Sequence, residues 1–320
     1  MKALWFSDKL ELLERLPVPT PDKNEALIKV LVAGICNTDL EIIKGYMDFK
    51  GVIGHEFVGR VVEINGGSKA LQGKRVVGEI NCGCGQCPLC RKGLERHCQE
   101  RKVLGILGKN GCFAEYITLP LKNLHEVPDT VEDEKAVFVE PLAAALEILD
   151  QVHFHPGDKV LVLGDGKLGV LIALTLRQTM ADIMLAGKHN SKMKVVSSQG
   201  VQAKHIEEVK ADSDRFDYVV EATGSSSGLE TAFQLLRPRG TVILKSTYAG
   251  RNNIDLAPAV INEITIVGSR CGCFPPALNY LDKYLDTKPM ISAVFKFKDA
   301  LKAIDLAQKK ESLKVLLDMC

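Results

Sequence analysis

At a typical 150 or so residues per domain, 320 residues imply about two domains, and 46% hydrophobic with 25% charged residues is an ordinary globular composition. This excludes disorder, collagen-like repeats and small disulfide scaffolds. Forty-one Lys and Arg against 40 Asp and Glu leave a net charge of +1, so no bulk field draws the chain to nucleic acid or anionic lipid.

From the N-terminus, Met1 to Asp8 holds one Lys before a few apolar residues, and no apolar run reaches the roughly 18 residues of a membrane span, so the chain reads as cytoplasmic. Residues 2–62 mix short β-like runs, the clearest at 25–33, with punctuation at Pro17, Pro19, Pro21 and Gly34, and predict a β-rich domain. From about Pro141 the texture changes. Apolar strands are predicted at 159–163, 182–186, 216–220, 240–244 and 263–267, alternating with helices at 168–179, 191–199 and 227–236, the pattern of βαβ units on a parallel sheet. Beyond Gly268 come Pro275-Pro276, helices at 278–285 and 299–309, and a strand at 313–317 that is expected to return to the first domain. The predicted boundaries are 1–140, 141–270 and 271–320, an α/β chain in which one domain interrupts another. No internal repeat or low-complexity segment occurs.

Gly164-Asp-Gly166-Lys167-Leu168-Gly169 follows an apolar strand and opens a helix, the context in which G-x-G-x-x-G points to a dinucleotide. The glycines let backbone approach a pyrophosphate at a helix N-terminus. An NAD site is expected to carry Asp or Glu at the end of the second strand; here that strand runs into Gly187-Lys188-His189-Asn190. Loss of the carboxylate and gain of cationic groups favour a 2′-phosphate, so NADP is preferred over NAD, with ribose hydroxyls held by a residue such as Asn190 as the alternative.

Of ten Cys, five lie between Cys82 and Cys98, and such clustering in a cytosolic chain points to metal rather than disulfides. Cys84, Cys87, Cys90 and Cys98 form C-x₂-C-x₂-C-x₇-C, four thiolates able to close on one tetrahedral structural Zn²⁺. Cys82 or His97 could replace one ligand, and an iron–sulfur cluster is the minor alternative. A nucleic-acid-binding zinc ribbon is disfavoured by the balanced charge. Separately, Cys36-Asn-Thr38-Asp39 and Gly54-His55-Glu56 together offer thiolate, imidazole and carboxylate, three ligands that leave a fourth position for water or substrate.

These residues resemble the zinc-dependent medium-chain dehydrogenase/reductases over nearly the whole chain. The resemblance rests on Gly34-Ile-Cys36-Asn-Thr38-Asp39, Gly54-His55-Glu56-Phe-Val-Gly59, the Cys84 to Cys98 loop, Glu140-Pro141-Leu142, Gly164 to Gly169 and Glu221-Ala-Thr223-Gly224. It implies a GroES-like β-rich catalytic domain interrupted by a Rossmann cofactor domain, with an active zinc in the cleft between them. Cys36 and His55 match catalytic-zinc ligands, Glu56 the carboxylate that enters or leaves the metal shell, and Glu140 a ligand position that is Glu in many polyol and sugar enzymes. Thr38 matches the residue that passes the alcohol proton outward, and Asp39 one that supports the site. Glu41 stands where many relatives carry His. Thr223 is expected at the cofactor, and Lys314, in Ser312-Leu-Lys314, matches the segment that contacts its pyrophosphate.

The implied function is hydride transfer between NADP(H) or NAD(H) and an alcohol or carbonyl, with a polyol, sugar or related alcohol as substrate. The alternatives are a simple alcohol dehydrogenase or aldehyde reductase and, in another class, a non-catalytic NADPH-binding sensor. The resemblance implies a homodimer or homotetramer acting on a small molecule. Cys271, Cys273 and Cys320 have no assigned role.

Overall fold

The structure, a computed structural model, describes residues 1–212, 215–247 and 254–319; Cys320 lies outside the described residues. The chain forms two compact units, one of residues 1–140 with 274–320, the other of 141–273.

The first unit is organised around one strand, Glu25–Ile35, whose apolar residues are buried along almost its whole length. Sheet surrounds it. Its first half pairs antiparallel with Tyr116–Pro120 and its second half with Lys314–Asp318, while the opposite edge carries Glu56–Asn65. The seven-stranded sheet runs in the order Leu124–Glu126, Arg75–Gly78, Glu56–Asn65, Glu25–Ile35, Lys314–Asp318, Ile291–Lys296, with Tyr116–Pro120 off this path. The strand expected at 313–317 begins one residue later. Ile291–Lys296, parallel to it, was not expected; it is an edge strand whose burial alternates only between partial and exposed.

The second unit holds six parallel strands in the order Gln202–His205, Asp182–Gly187, Lys159–Leu163, Phe216–Glu221, Leu236–Leu244, Thr265–Gly268. In chain order this is 3-2-1-4-5-6, the doubly wound arrangement with the glycine-rich turn after its first strand. The helices Lys167–Leu176, Asn190–Ser197 and Gly228–Leu235 lie within one to three residues of the predicted ends. Gln202–His205 and the helix Ile206–Ala211 were missed. Gln-Ala-Lys-His has no apolar character because it is a sheet edge. The strand expected to start at 240 starts at Leu236 instead, running through Pro238 with a register shift opposite Phe216 and Tyr218.

Residues 271–273, expected in the returning segment, belong to the second unit. The reason is close backbone packing: a Cβ on Gly272 would overlap the carbonyl of Ala143. Lys245 reinforces the same place. Its buried ammonium donates to Ala144 O at 2.7 Å, Arg270 O at 2.9 Å and Ser269 Oγ at 3.0 Å, tying the helix Val139–Gln151 to the chain that follows Thr265–Gly268. Among the described residues no helix is long and apolar enough to cross a membrane.

Asp217 pins the strand starts of this sheet, accepting the Lys159 N–H at 2.8 Å and the Arg237 guanidinium. Burial works to raise its pKa, but these donors outweigh it and hold the carboxyl below the usual range. A depressed carboxyl stabilises above its unfolded pKa of about 3.9 and loses that contribution as pH falls through the folded value. Asp217→Asn is therefore expected to cost about 1 kcal/mol at pH 7, with a gap in urea midpoint from wild type that closes as pH is lowered from 5 towards 3.

Candidate functional site

The strand Glu25–Ile35 ends one residue before Cys36, which caps the helix Asn37–Ile43; His55 directly precedes the neighbouring strand, which Glu56 begins. This brings the candidate ligand atoms of Cys36, His55 and Glu56 within 4.8 Å of one another. Asp39 braces two of the three. One of its oxygens accepts the Cys36 backbone N–H at 2.8 Å and the other meets His55 Nδ1 at 3.0 Å, with Asp39 and His55 both buried. This contact turns Nε2 toward the Cys36 side, the arrangement by which a carboxylate orients a ligating imidazole. Burial opposes charge on His55, but Asp39 and Cys36 outweigh it and hold the ring well above its ordinary pKa. Thr38 is half-buried in the first turn of the helix, its Oγ1 3.8 Å from Cys36 Sγ.

Glu56 carries a second observation. Its Oε2 accepts from the Lys314 ammonium, while Oε1 is buried with no hydrogen-bond partner. An unpartnered carboxylate oxygen beside a thiol and an imidazole fits a metal of zinc's borderline softness. Among the described residues Glu140 is outside this close group. Loss of solvent around Glu140 pushes its carboxyl up to about 7, with His55 and Lys314 pulling downward and Glu56 and Asp39 upward. It belongs to the electrostatic surroundings of the group without closing on it.

Lys314 departs from its expected place. The sequence reading set it at the cofactor pyrophosphate; here it is 2% exposed, its ammonium on Glu56 and 5.6 Å from the centroid of the Phe138 ring. Burial and an occupied charge take it out of the open anion-binding set and make it the counter-ion of Glu56.

The sulfurs of Cys84, Cys87, Cys90 and Cys98 also lie within 4.8 Å of one another. The Cys87–Cys98 and Cys84–Cys90 separations are 3.8 and 4.0 Å, near the ~3.8 Å edge of a tetrahedron with zinc–sulfur bonds of about 2.3 Å. Burial first, then the adjacent sulfurs, pushes the Cys90 thiol up to about 12. Four thiolates this close need a cation at their centre, so the donor set fits a structural zinc. Cys82 is outside the group, with its thiol pushed by burial to about 11, and His97 is exposed; neither replaces a ligand here.

In the second unit the expected cofactor residues gather at the carboxyl ends of the strands, where open α/β sheets bind ligands. Gly164 has φ of +118°, and a Cβ there would fall 2.7 Å from Ala222 O. Gly166 caps the helix Lys167–Leu176, and nothing lies within 4 Å of where its Cβ would stand, so the helix N-terminus opens on free space. Leu168 is half-buried, and Gly169 packs against the Gly164 backbone. Thr223, just beyond the strand Phe216–Glu221, gives its N–H and hydroxyl to Glu221. The cradle fits a pyrophosphate.

Asp165 was missed by sequence reasoning. Its Oδ2 accepts the Lys188 and His189 N–H groups at 2.7 and 2.6 Å, and the His189 ring lies 3.0 to 3.1 Å from its oxygens. Burial works against the ionised form, but these donors outweigh it and hold the carboxyl below the usual range. NADP was preferred because no carboxylate stood at the end of the second strand; Asp165 supplies one from the glycine turn, and that ground falls. The signal was the glycine at 187, a vacancy that another side chain fills. Lys188 and Asn190 are exposed.

The Lys314 pair allows a direct check. Lys314→Met, which strands a buried carboxylate, is expected to lower stability by about 3–5 kcal/mol, whereas adding Glu56→Gln should recover most of the loss; urea denaturation of both variants measures it.

The family model described as alcohol dehydrogenase GroES-like domain matches residues 22–129, and that described as glucose dehydrogenase C-terminus matches 133–318. The chain is 30% identical to D-arabinitol dehydrogenase 1 of Uromyces fabae, over 98% of this chain and 96% of that protein. A short chain alcohol dehydrogenase of Escherichia coli CFT073, solved with NADH, superposes with a TM-score of 0.91 at 28% identity, covering 100% of this chain and 99% of that one. A protein of Sinorhizobium meliloti 1021 described as a zinc-binding dehydrogenase, bound to NADP, gives 0.89 at 26% identity, covering 99% and 98%. With its thiolate, imidazole and carboxylate group in one unit and a dinucleotide turn in the other, the chain belongs to the zinc-dependent medium-chain dehydrogenase/reductase family, an oxidoreductase of the alcohol and polyol dehydrogenase type.

Proposed function

We propose that this enzyme transfers hydride between a nicotinamide dinucleotide and the alcohol or carbonyl carbon of a polyol, sugar or related substrate, using one catalytic and one structural zinc. The observation that carries it is the Cys36, His55 and Glu56 group, braced by Asp39 and holding an unpartnered carboxylate oxygen. Matches to relatives named arabinitol and sorbitol dehydrogenases support the substrate class.

In this reading Cys36, His55 and Glu56 hold the catalytic metal, and Glu140, with its raised pKa, stands as a neighbouring carboxyl able to approach it. A metal bound there supplies Lewis acidity to a substrate oxygen, and the nicotinamide exchanges hydride. The chain's own residues do the rest. Asp39 keeps the Cys36 backbone and the His55 ring in place, so the ligand set is formed before substrate arrives. Thr38 accepts the substrate hydroxyl proton and passes its own outward. Lys314 holds one oxygen of Glu56 and leaves the other free. Gly164, Gly166, Lys167, Leu168 and Gly169 receive the pyrophosphate, and Thr223 borders the nicotinamide side of that turn.

We take the compartment to be the cytoplasm, where thiols of the Cys84 to Cys98 loop stay reduced. We take the assembly to be a dimer or tetramer formed through the exposed edge strand Thr265–Gly268, with Ile266 41% exposed, and the adjacent Val260 and Ile261, each 78% exposed. Sedimentation equilibrium should show an oligomer that Ile261→Lys weakens; a monomeric wild type would count against it.

Absorbance at 340 nm, followed with NAD⁺ or NADP⁺ and a panel of polyols, aldoses, threonine and simple alcohols, tests the reaction. Turnover of a polyhydroxy substrate supports the reading, and rates confined to simple alcohols overturn the substrate class. Cys36→Ser is expected to lower kcat at least 100-fold and keep the wild-type melting curve, with zinc falling from two per chain to one. Cys90→Ser should also lose one zinc and melt several degrees lower, because the structural metal contributes folding energy.

A further inference from the structure

We propose that Asp165 selects the cofactor, admitting the 2′-hydroxyl of NAD(H) and turning away the 2′-phosphate of NADP(H). This rests on the dinucleotide-binding reading of the second unit and carries it to the level of the ribose.

In doubly wound sheets the group that reads the ribose stands at the end of the second strand. Here that strand, Asp182–Gly187, ends in a residue with no side chain. A Cβ on Gly187 would fall 2.7 Å from both Cβ and Oδ2 of Asp165 and 2.9 Å from its Cγ. The Asp165 carboxyl therefore occupies the volume that a side chain at 187 would need. The two positions share one site, and the acid has been delivered from the glycine turn instead of from the strand.

Three features of that placement oppose a phosphate. The first is charge, since a 2′-phosphate dianion would meet a carboxylate that is about 10% exposed and ionised. The second is occupancy. The Lys188 and His189 N–H groups, at the mouth of the helix Asn190–Ser197, are the donors that would receive the phosphate, and both are bound to Oδ2. The third is direction: the His189 ring, a donor a phosphate could use, is turned onto the same carboxylate. Oδ1 meets only the His189 ring and keeps lone-pair capacity, which suits a ribose hydroxyl donor. Lys188 is exposed and could draw a phosphate, so direct measurement decides.

The experiment is calorimetric titration of the purified zinc-loaded protein with NADH and with NADPH at one pH and ionic strength, repeated for Asp165→Ser. Wild type is expected to bind NADH at least tenfold more tightly. Asp165→Ser is expected to bind NADPH at least tenfold more tightly than wild type does and to bind NADH more weakly. Should Asp165→Ser melt far below wild type, Asp165→Asn, which keeps the volume and removes the charge, carries the same expectation for NADPH. Wild type that prefers NADPH or does not discriminate overturns the proposal. So does a folded variant that loses both ligands in equal proportion, which would make Asp165 a support of the loop alone. Wild type that binds neither nucleotide while melting cooperatively overturns the dinucleotide reading as well, a pattern distinct from the other two.

Discussion

The group of Cys36, His55 and Glu56 depends on the register of the strand Glu25–Ile35. Gly34 faces Glu56 across one edge and Ile35 faces Val315 across the other, so the residue that follows, Cys36, arrives beside the starts of two other strands. A slip of one residue would turn every side chain of the strand to the opposite face. Near-continuous burial specifies that register, which places the Glu56 carboxyl and the Lys314 ammonium directly and Cys36 and His55 on the residues adjoining two of the paired strands.

Charge inside the unit is organised by the same register. Asp39 and Glu56 are fully buried carboxyls, and each meets a basic partner, the His55 ring for Asp39 and the Lys314 ammonium for Glu56. Each pairing offsets part of the cost of burying a carboxyl. Glu140, with its carboxyl raised to about 7, can be present without adding a full further anion. In the other unit, Asp165 makes the opposite use of a buried carboxylate. It satisfies the opening of a helix that would otherwise invite anions.

The order of the units, the inserted βαβ block and the glycine turn were legible because each is carried by local periodicity or spacing, as in 159–163 followed by Gly164. The Cys84 to Cys98 cluster was legible for the same reason, its four cysteines lying within one loop. Legibility failed where the determining contact is long-range. Lys314 was expected at the cofactor pyrophosphate, and only the sheet sets it beside Glu56. Asp165 looked like a spacer between glycines, and only the fold brings it against Gly187. Gln202–His205 and Ile291–Lys296 were missed because sheet-edge strands need no apolar run.

The ion pair between Glu56 and Lys314 spans 258 positions of sequence. On the ribosome, the partner of the Glu56 carboxylate is still unmade after the inserted dinucleotide unit has emerged whole. Domains fold as units during synthesis, N-terminal parts first, and contacts of long sequence separation close late. Vectorial synthesis therefore assembles this enzyme from the middle outward. The nucleotide cradle can form while the chain is still growing, and the hydride-transfer centre becomes electrically complete only with the final strand.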